Sequence, residues 1–344
     1  MEDMEIREIP LFLREEKESL TTFLKANGLN IENNIDCAYG IYLKDALSGC
    51  GCAAGRLLKC FAITPELRGQ NGLGLLVTKL SMNRYAQGIY DLFIITRSHN
   101  IPLFANCGFT PVANTAEIAL LENRKNGVEK YLRTLPSPPD GCGEVGAIVM
   151  NGNPPTNGHL ALIRHAAEHS GFLYLFVVEE DRSAFPFAAR FALLKEIAKP
   201  FDNVAVCPSG PYMISEQTFP TYFLKETESP SLLQSELDVT LFAERIAPAL
   251  KIKKRFVGQE PFDPVTRIYN DVMRTVLPRH GIAFCEIERF CREGVPICAT
   301  DVRRLLSGAA EAPDQLREKL SALVPPCTMT YLMENYCKQR EKNT

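Results

Sequence analysis

Thr156, Gly158 and His159 stand together directly after a turn rich in glycine, proline and asparagine. An apolar run, Val145–Met150, precedes the turn and a segment with helical apolar spacing follows it, which predicts a strand, a tight loop and a helix N-terminus. A helix N-terminus offers unpaired N–H groups and a partial positive charge, both of which suit phosphate. Glycine at position 158 would let a ligand approach the backbone closely. The stretch alone fits a phosphate site and a plain strand–loop–helix equally well.

A second candidate helix start, within residues 296–308, carries threonine and arginine. Thr300 is predicted to be the N-cap and Gly308 the C-terminal stop, which places Arg303 in the first turn. A cation there opposes the helix dipole by about 0.3–1 kcal/mol at the surface. A bound anion would reverse this penalty, so this helix start is also suited to phosphate. The alternative is that Arg303 is simply exposed, which costs little.

From residue 144 onward, apolar runs of strand length alternate with helical patterns. Such alternation predicts the α/β class with a parallel, doubly wound sheet. Ligands of these sheets bind beyond the carboxyl ends of the strands, where both motifs fall, together with Arg182 and Gln259. The predicted strands are Val145–Met150, Phe172–Val178, Val204–Cys207, Lys253–Gly258 and Phe284–Ile287.

The first part of the chain has a different order of elements. Residues 14–28 predict a helix that ends at glycine, and residues 44–49 predict a turn after a strand at Cys37–Leu43. One or two strands are expected in residues 51–63, followed by a glycine-rich loop that could cradle a pyrophosphate. A strand at residues 91–96 and a short helix closing on a Gly-Phe corner complete the order.

This order resembles the GNAT acetyltransferase fold, whose Arg-x-x-Gly-x-Gly/Ala loop holds the pyrophosphate of coenzyme A. Here the loop, Arg68 to Gly74, is one residue longer than the usual spacing. Phe104 stands where many such enzymes carry a tyrosine that protonates the leaving thiolate, and phenylalanine has no proton to give. The domain is therefore expected either to bind something like a phosphopantetheine arm without transferring acetyl groups or only to dock a partner.

The chain has 344 residues, enough for two domains of ordinary size. A proline- and glycine-rich cluster, Ser137–Gly143, is the best boundary, and it divides the chain into a GNAT-like domain (1–135), a linker (136–143) and a second α/β domain (144–344). A net charge of only −3 argues against nucleic acid or a membrane surface as partner. No apolar run reaches the length of a membrane span, and the start does not resemble a secretory signal.

The twelve cysteines are scattered and include no CxxC pair. Without a secretory signal, free buried thiols are favoured over disulfides and over a zinc site. No metal-ligating residue is therefore predicted.

Together, Thr156-x-Gly-His159 and Thr300-x-x-Arg303 resemble the signatures of the nucleotidyltransferase superfamily, (His/Thr)-x-Gly-His and Ile-Ser-x-(Ser/Thr)-x-x-Arg. Over roughly residues 12–335 the chain resembles the citrate lyase ligase family. Cys298 stands where that family usually has serine. Besides the GNAT-like first domain, the stretches that carry this resemblance are Met150–His159, Ile214–Lys225 and Val257–Asn270.

The resemblance implies a cytoplasmic, AMP-forming acid–thiol ligase whose second domain binds ATP with Mg²⁺. Such an enzyme converts acetate to acetyl-AMP and releases pyrophosphate. It then acetylates the thiol of the phosphopantetheine-like prosthetic group on the acyl-carrier subunit of citrate lyase, and this acetylation activates the lyase. The thiol belongs to the carrier, so no cysteine of this chain needs to react.

Carried over to this sequence, the resemblance implies that His159, Thr156 and Arg303 are catalytic. His159 and Thr156 would contact the α-phosphate, and Arg303 with Thr300 would hold the β- and γ-phosphates. Adenosine contacts are expected from Met150, Asn151 and Asn153, pyrophosphate contacts from Arg182 or Arg190, and further nucleotide contacts from Gly158, Gly258 and Glu260.

Three other functions remain open from the sequence. A nucleotidyltransferase of coenzyme biosynthesis would use the same ATP site but a phosphorylated acceptor. An acetyl-CoA-dependent acetyltransferase would work through residues 1–130, which the longer loop and Phe104 disfavour. A non-catalytic module that docks a carrier protein would have no need of the two intact phosphate motifs.

Overall fold

The computed structural model describes residues 4–179, 183–213, 219–292, 295–307 and 313–342. The chain forms two compact units, Met1–Lys130 with Thr218–Leu241 and Tyr131–Gln217 with Phe242–Thr344. It therefore leaves the first unit after Lys130 and returns to it for a later stretch. The division differs here from the sequence-based one, which assigned everything after residue 143 to the second domain.

The regular elements follow one another along the whole chain. The strands are β1 (Met4–Glu8), β2 (Cys37–Leu43), β3 (Ala46–Ala54), β4 (Leu57–Ile63), β5 (Phe93–Arg97), β6 (Thr110–Asn114), β7 (Ile118–Glu122), β8 (Val145–Met150), β9 (Phe172–Val177), β10 (Val204–Pro208), β11 (Ile252–Gly258), β12 (Ala283–Ile287), β13 (Cys291–Arg292) and β14 (Val295–Pro296). The α-helices are α1 (Arg14–Ala26), α2 (Gly72–Ala86), α3 (Ile101–Ala105), α4 (Gly127–Leu132), α5 (Asn157–Glu168), α6 (Phe187–Ala198), α7 (Pro230–Leu241), α8 (Ala247–Ala249), α9 (Pro264–Val276), α10 (Ala299–Ser307), α11 (Pro313–Ser321) and α12 (Pro326–Lys342). Short 3₁₀ turns occupy Pro65–Leu67, Ser98–Asn100, Gly210–Tyr212 and Leu277–His280, and a π-helical turn occupies Phe242–Ile246.

The sheet of the first unit has the order β1-β2-β3-β4-β5-β7-β6. Its neighbours are antiparallel except β4 and β5, which run parallel and pair at Leu57 and Phe93. Helix α1 ends at Ala26, and Gly28 follows with a φ of +72°, as the glycine stop predicts. The mixed sheet with packed helices confirms the α/β class for this part of the chain.

The predicted turn at residues 44–49 was wrong in length. Strands β2 and β3 pair up to Leu43 and Ala46, so the loop contains only Lys44 and Asp45. These two residues have φ values of +47° and +66°, which gives the backbone twist that joins two antiparallel strands most tightly. Neither is glycine, and for this reason the sequence did not reveal a two-residue hairpin.

The core of the first unit includes Phe104, which is 4% exposed and packs with its ring centroid 5.4 Å from that of Phe61. Residues 219–241 pack against and hydrogen-bond to the same unit. Tyr222 is buried, and the Glu32 carboxylate accepts hydrogen bonds from the backbone N–H and the hydroxyl of Thr221 at 2.6 and 3.0 Å. Burial and ionic hydrogen bonds together explain why this stretch belongs to the first unit.

The sheet of the second unit has the order β10-β9-β8-β11-β12, and each neighbouring pair is parallel. Successive strand residues point to opposite faces, which is visible in β11. Phe256 packs with Ile163 of α5 and Leu194 of α6, whereas the Arg255 guanidinium lies 4.6 Å from the ring centroid of Phe242 on the other face. Helical segments thus cover both faces, which confirms the predicted doubly wound sheet.

The predicted strands of the second unit are confirmed with small shifts of their ends, and β8 has the predicted bounds. Strand β9 is buried at every position, as expected for a parallel strand covered on both faces. In the described ranges, no helix combines the length and the apolarity needed to cross a bilayer.

Candidate functional site

The loop between β8 and α5 leaves the carboxyl end of the central strand of the parallel sheet. Gly152 has a φ of +58°, which glycine adopts without strain, and the chain turns back toward α5 there. The loop ends at Thr156, the N-cap of α5, whose backbone is extended. Thr156 is 1% exposed, so the helix start is fixed from inside the unit. This arrangement places Gly158 and His159 in the first turn, as predicted.

The imidazole of His159 is bound to the start of its own helix. Its Nδ1 accepts a hydrogen bond from the backbone N–H of Thr156 at 3.0 Å and lies 2.8 Å from Thr156 Oγ1. A backbone N–H can only donate, so Nδ1 is unprotonated and the neutral ring carries its proton on Nε2. The half-buried ring lines a cleft, where Nε2–H is a donor suited to an anion.

Burial lowers the pKa of His159 to about 4, and the positive charge of Arg289 acts in the same direction. The folded protein therefore binds fewer protons at this site than the unfolded chain does between the two pKa values. The resulting contribution to stability is complete above the unfolded pKa of about 6.5 and is lost as the pH falls toward the folded value.

We expect the imidazole Hε1 resonance of His159 to keep its chemical shift between about pH 5.5 and 7.5, because the ring stays neutral there. The measurement is an NMR titration of the histidine resonances, with the signal assigned by its loss in His159→Gln. A titration midpoint near 6.5, the ordinary value for histidine, would contradict the lowering of the pKa of His159 by burial.

Arg303 connects the two motifs. Its Nη1 donates to the backbone oxygen of Asn153 at 2.6 Å, and its Nη2 donates to Thr300 Oγ1 at 2.8 Å. The first bond reaches the loop after β8, and the second stays within α10. The loop after β8 and the start of α10 are therefore held against each other through one guanidinium.

Thr300 is not the N-cap of α10, because the helix begins one residue earlier, at Ala299. The backbone N–H of Thr300 donates to Cys298 Sγ at 3.3 Å, so the thiol takes the place of a capping hydroxyl. The Thr300 hydroxyl is left to accept from Arg303. The predicted stop, Gly308, lies outside the described residues.

A cleft of about 1160 Å³ opens at the carboxyl ends of β8, β11 and β12. Residues from both motifs line it, so the fold brings the two helix starts to one space. Gly258 at the end of β11 and the acidic residues Glu260 and Asp263 after it form another wall. The predicted site residues that line the cleft are Met150, Thr156, Gly158, His159, Gly258, Glu260, Thr300 and Arg303.

A side chain at position 158 would fit the protein but project into this cleft. An added Cβ would lie 3.5 Å from Thr156 Oγ1 and 3.6 Å from the backbone oxygen of Ile297, which are ordinary contacts. We expect Gly158→Ala to shift the melting temperature by less than roughly 4 °C, equivalent to about 1 kcal/mol. On the expectation, drawn from the resemblance, that ATP binds in this cleft, the same substitution should weaken ATP binding about tenfold. Calorimetric titration with ATP measures the second effect, and an unchanged affinity would contradict the predicted nucleotide contact of residue 158.

Three side chains that were predicted to contact the nucleotide form hydrogen bonds within the protein. Arg190 is fully buried, and it donates to the backbone oxygens of Asn151 (2.7 Å), Val178 (2.9 Å) and Phe185 (3.0 Å). The expectation that its guanidinium reaches the pyrophosphate is therefore corrected, because these carbonyls hold it below the surface.

The amides of Asn151 and Asn153 are likewise absent from the cleft lining. Asn151 exchanges hydrogen bonds with Ser183, and Asn153 Oδ1 accepts from the backbone N–H of Phe185 at 3.0 Å. Both side chains thus hold the loop after β8 against Ser183 and Phe185, and their adenosine contacts stay a prediction. Arg182, the other predicted pyrophosphate ligand, lies outside the described residues.

One cation of the cleft was not found from the sequence. Arg289 follows β12, lines the cleft, and donates from Nη1 to Glu260 Oε1 at 2.7 Å. The same carboxylate oxygen accepts from the backbone N–H groups of Phe262 and Asp263 at 3.1 and 3.2 Å. The sequence could have identified Arg289 from its position directly after a predicted parallel strand, since ligand-binding residues concentrate there.

The parallel sheet, with Thr-x-Gly-His and Thr-x-x-Arg on two helix starts at its strand ends, defines a nucleotidyltransferase-like α/β protein. Residues 145–332 match the family model described as the citrate lyase ligase C-terminal domain. Over 324 residues the chain is 39% identical to a citrate (pro-3S)-lyase ligase of Klebsiella pneumoniae, covering 92% of this chain and 93% of the relative. The chain therefore belongs to the citrate lyase ligase family, and it is a ligase.

Two solved structures each align with part of the chain. A putative acyl-CoA N-acyltransferase from Klebsiella pneumoniae is 20% identical and aligns over 35% of this chain and 95% of its own, with a TM-score of 0.29. Thermotoga maritima TmcAL bound with alpha-thio ATP is 15% identical and aligns over 57% of each chain, with a TM-score of 0.36.

Proposed function

We propose that this ligase uses Mg²⁺-bound ATP and acetate to acetylate the thiol of the phosphopantetheine-like prosthetic group on the acyl-carrier subunit of citrate lyase. The products besides the thioester are AMP and pyrophosphate. The observation that carries the proposal is the convergence of His159 and Arg303, from two helix starts, on one cleft in a member of this family.

In the first step an oxygen of the acetate carboxylate attacks the α-phosphorus of ATP. A new O–P bond forms, the bond to the bridging oxygen breaks, and pyrophosphate leaves with that electron pair. Little proton transfer is needed, so the protein contributes position and charge. The Nε2–H of His159 is the donor to the α-phosphate, and Thr156 positions the ring through Nδ1.

Arg303, with Thr300, is the proposed ligand of the β- and γ-phosphates. Its present acceptors, the Thr300 hydroxyl and the Asn153 carbonyl, are both neutral. Hydrogen bonds to ionised acceptors are roughly twice as strong as neutral ones, so a phosphate oxygen can replace either acceptor. The Mg²⁺ enters with the nucleotide as part of the substrate.

In the second step the carrier thiol, as thiolate, attacks the carbonyl carbon of acetyl-AMP. A C–S bond forms, the C–O bond to the phosphate breaks, and AMP leaves. The proton lost by the thiol goes to solvent. The ligase needs to hold the adenylate while leaving its carbonyl open to the carrier's flexible arm.

The test combines purified protein, Mg²⁺, ATP, acetate and the deacetylated carrier subunit, with AMP and carrier mass as readouts. We expect AMP release together with a carrier mass increased by one acetyl group. Omission of acetate is the matched control and should abolish both changes. A stable adenylylated product would instead indicate a nucleotidyltransferase, and acetylation that required acetyl-CoA instead of ATP would indicate the GNAT-like unit.

A further inference from the structure

The cleft contains a second arginine, Arg289, that the phosphate motifs do not include. Its side chain is 19% exposed and that of its partner Glu260 is 15% exposed, so the ion pair lies largely inside the cleft wall. Among the described residues, Arg289 donates one side-chain hydrogen bond, from Nη1 to Glu260. The remaining N–H groups of its guanidinium fork are therefore available to a ligand.

Arg289 and Arg303 are attached to different strand ends. Arg303 is bonded to the loop that follows β8, whereas Arg289 follows β12 and is bonded to Glu260 in the loop that follows β11. Both cations line the same cleft as His159, and the charge of Arg289 acts on that imidazole. The site thus presents two cations that approach the His159 position from separate loops.

The chemistry of adenylation requires two separate anion sites. The attacking and leaving oxygens lie roughly in line through the phosphorus, so the incoming carboxylate and the departing pyrophosphate need different ligands. Arg303 and Thr300 are assigned to the pyrophosphate side. A guanidinium fork matches the geometry of a carboxylate, which makes Arg289 suited to the other side.

We infer that Arg289, oriented by Glu260, binds the carboxylate of the acid substrate during adenylation. Glu260 is itself fixed by the backbone N–H groups of Phe262 and Asp263, so it holds the guanidinium in one place. The Phe262 ring centroid lies 5.8 Å from the guanidinium carbon and offers an apolar surface to a short alkyl group. The ligand class is a small monocarboxylate, and the inference rests on the proposed function.

The test is acetate-dependent pyrophosphate release by the full chain, with acetate and ATP varied separately. We expect Arg289→Gln to raise the KM for acetate at least about tenfold while changing the KM for ATP by less than about twofold, because the substitution removes a charge-assisted hydrogen bond to the carboxylate alone. Arg289→Lys should recover part of the loss, since it restores the charge without the fork.

Arg274→Gln is the matched control, because Arg274 also pairs with acids, Asp271 and Glu286, but does not line the cleft. Glu260→Gln is the second variant, should Arg289→Gln not fold, and it should also raise the KM for acetate selectively. An unchanged KM for acetate, or an equal rise for acetate and ATP, would overturn the inference. Wild-type protein without acetate-dependent pyrophosphate release would instead overturn the proposed function itself.

Discussion

Replacing His159 with glutamine is expected to lower acetate-dependent pyrophosphate release by about 10²–10³-fold, the usual effect of removing one donor aimed at developing charge. The imidazole lines the cleft with Nδ1 bonded to Thr156, so the substitution exchanges the rigid Nε2–H donor for an amide NH₂ that points in a different direction once its oxygen is bonded to Thr156. Pyrophosphate release under saturating ATP and acetate measures this loss.

Glutamine is the informative replacement because of what His159 does for its helix. It stands at the third position of α5 and accepts from the backbone N–H of Thr156, as glutamine does in a capping box. His159→Gln should therefore keep the cap, while His159→Ala would lose it and cost about 0.5–2 kcal/mol in addition.

The control is His280→Gln, which replaces an exposed histidine in the same unit and should keep full activity. The circular dichroism of His159→Gln should match that of the wild type. Retention of a wild-type rate by His159→Gln would exclude the imidazole as the α-phosphate donor.

The sequence was most informative where local pattern and tertiary role coincide. Strand β8 was predicted with its observed bounds because an apolar run ends at a turn rich in glycine and proline. The start of α5 was recognisable from its N-cap Thr156, whereas α10 begins at Ala299, one residue before the position that the predicted cap Thr300 indicated. The sheet then brought the two helix starts together, since parallel strands end at a common edge.

The sequence was least informative where a side chain's partner is remote along the chain. Arg190 and Arg289 are both plausible anion ligands by type, yet one is buried among carbonyls and the other lines the cleft. Asn151 and Asn153 are polar loop residues whose partners follow the next strand. The burial of Tyr222 in the first unit depends on a sheet face built from residues far earlier in the chain.

Arg190→Met is expected to destabilise the second unit by at least about 3 kcal/mol, because each buried carbonyl left without its donor costs about 1–3 kcal/mol. Methionine keeps apolar bulk but leaves the carbonyl groups of Asn151, Val178 and Phe185 without their shared donor. For a unit of this size, 1 kcal/mol corresponds to roughly 2–4 °C, so the melting temperature should fall by at least roughly 6 °C. Differential scanning calorimetry measures the shift.

Arg164→Met is the matched control, because Arg164 lies exposed on helix α5 of the same unit and its replacement should change stability by less than about 0.5 kcal/mol. The melting temperature of Arg190→Lys should lie between those of Arg190→Met and Arg164→Met, since one ammonium cannot reach three divergent carbonyls as a planar guanidinium does. These carbonyls belong to the loops that carry Asn153 and Phe185, so the weakened anchor should also raise the KM for ATP at temperatures where the unit remains folded. Equal melting temperatures for Arg190→Met and Arg164→Met would show that the buried guanidinium does not hold the loops. That result would overturn the correction that removed Arg190 from the pyrophosphate contacts.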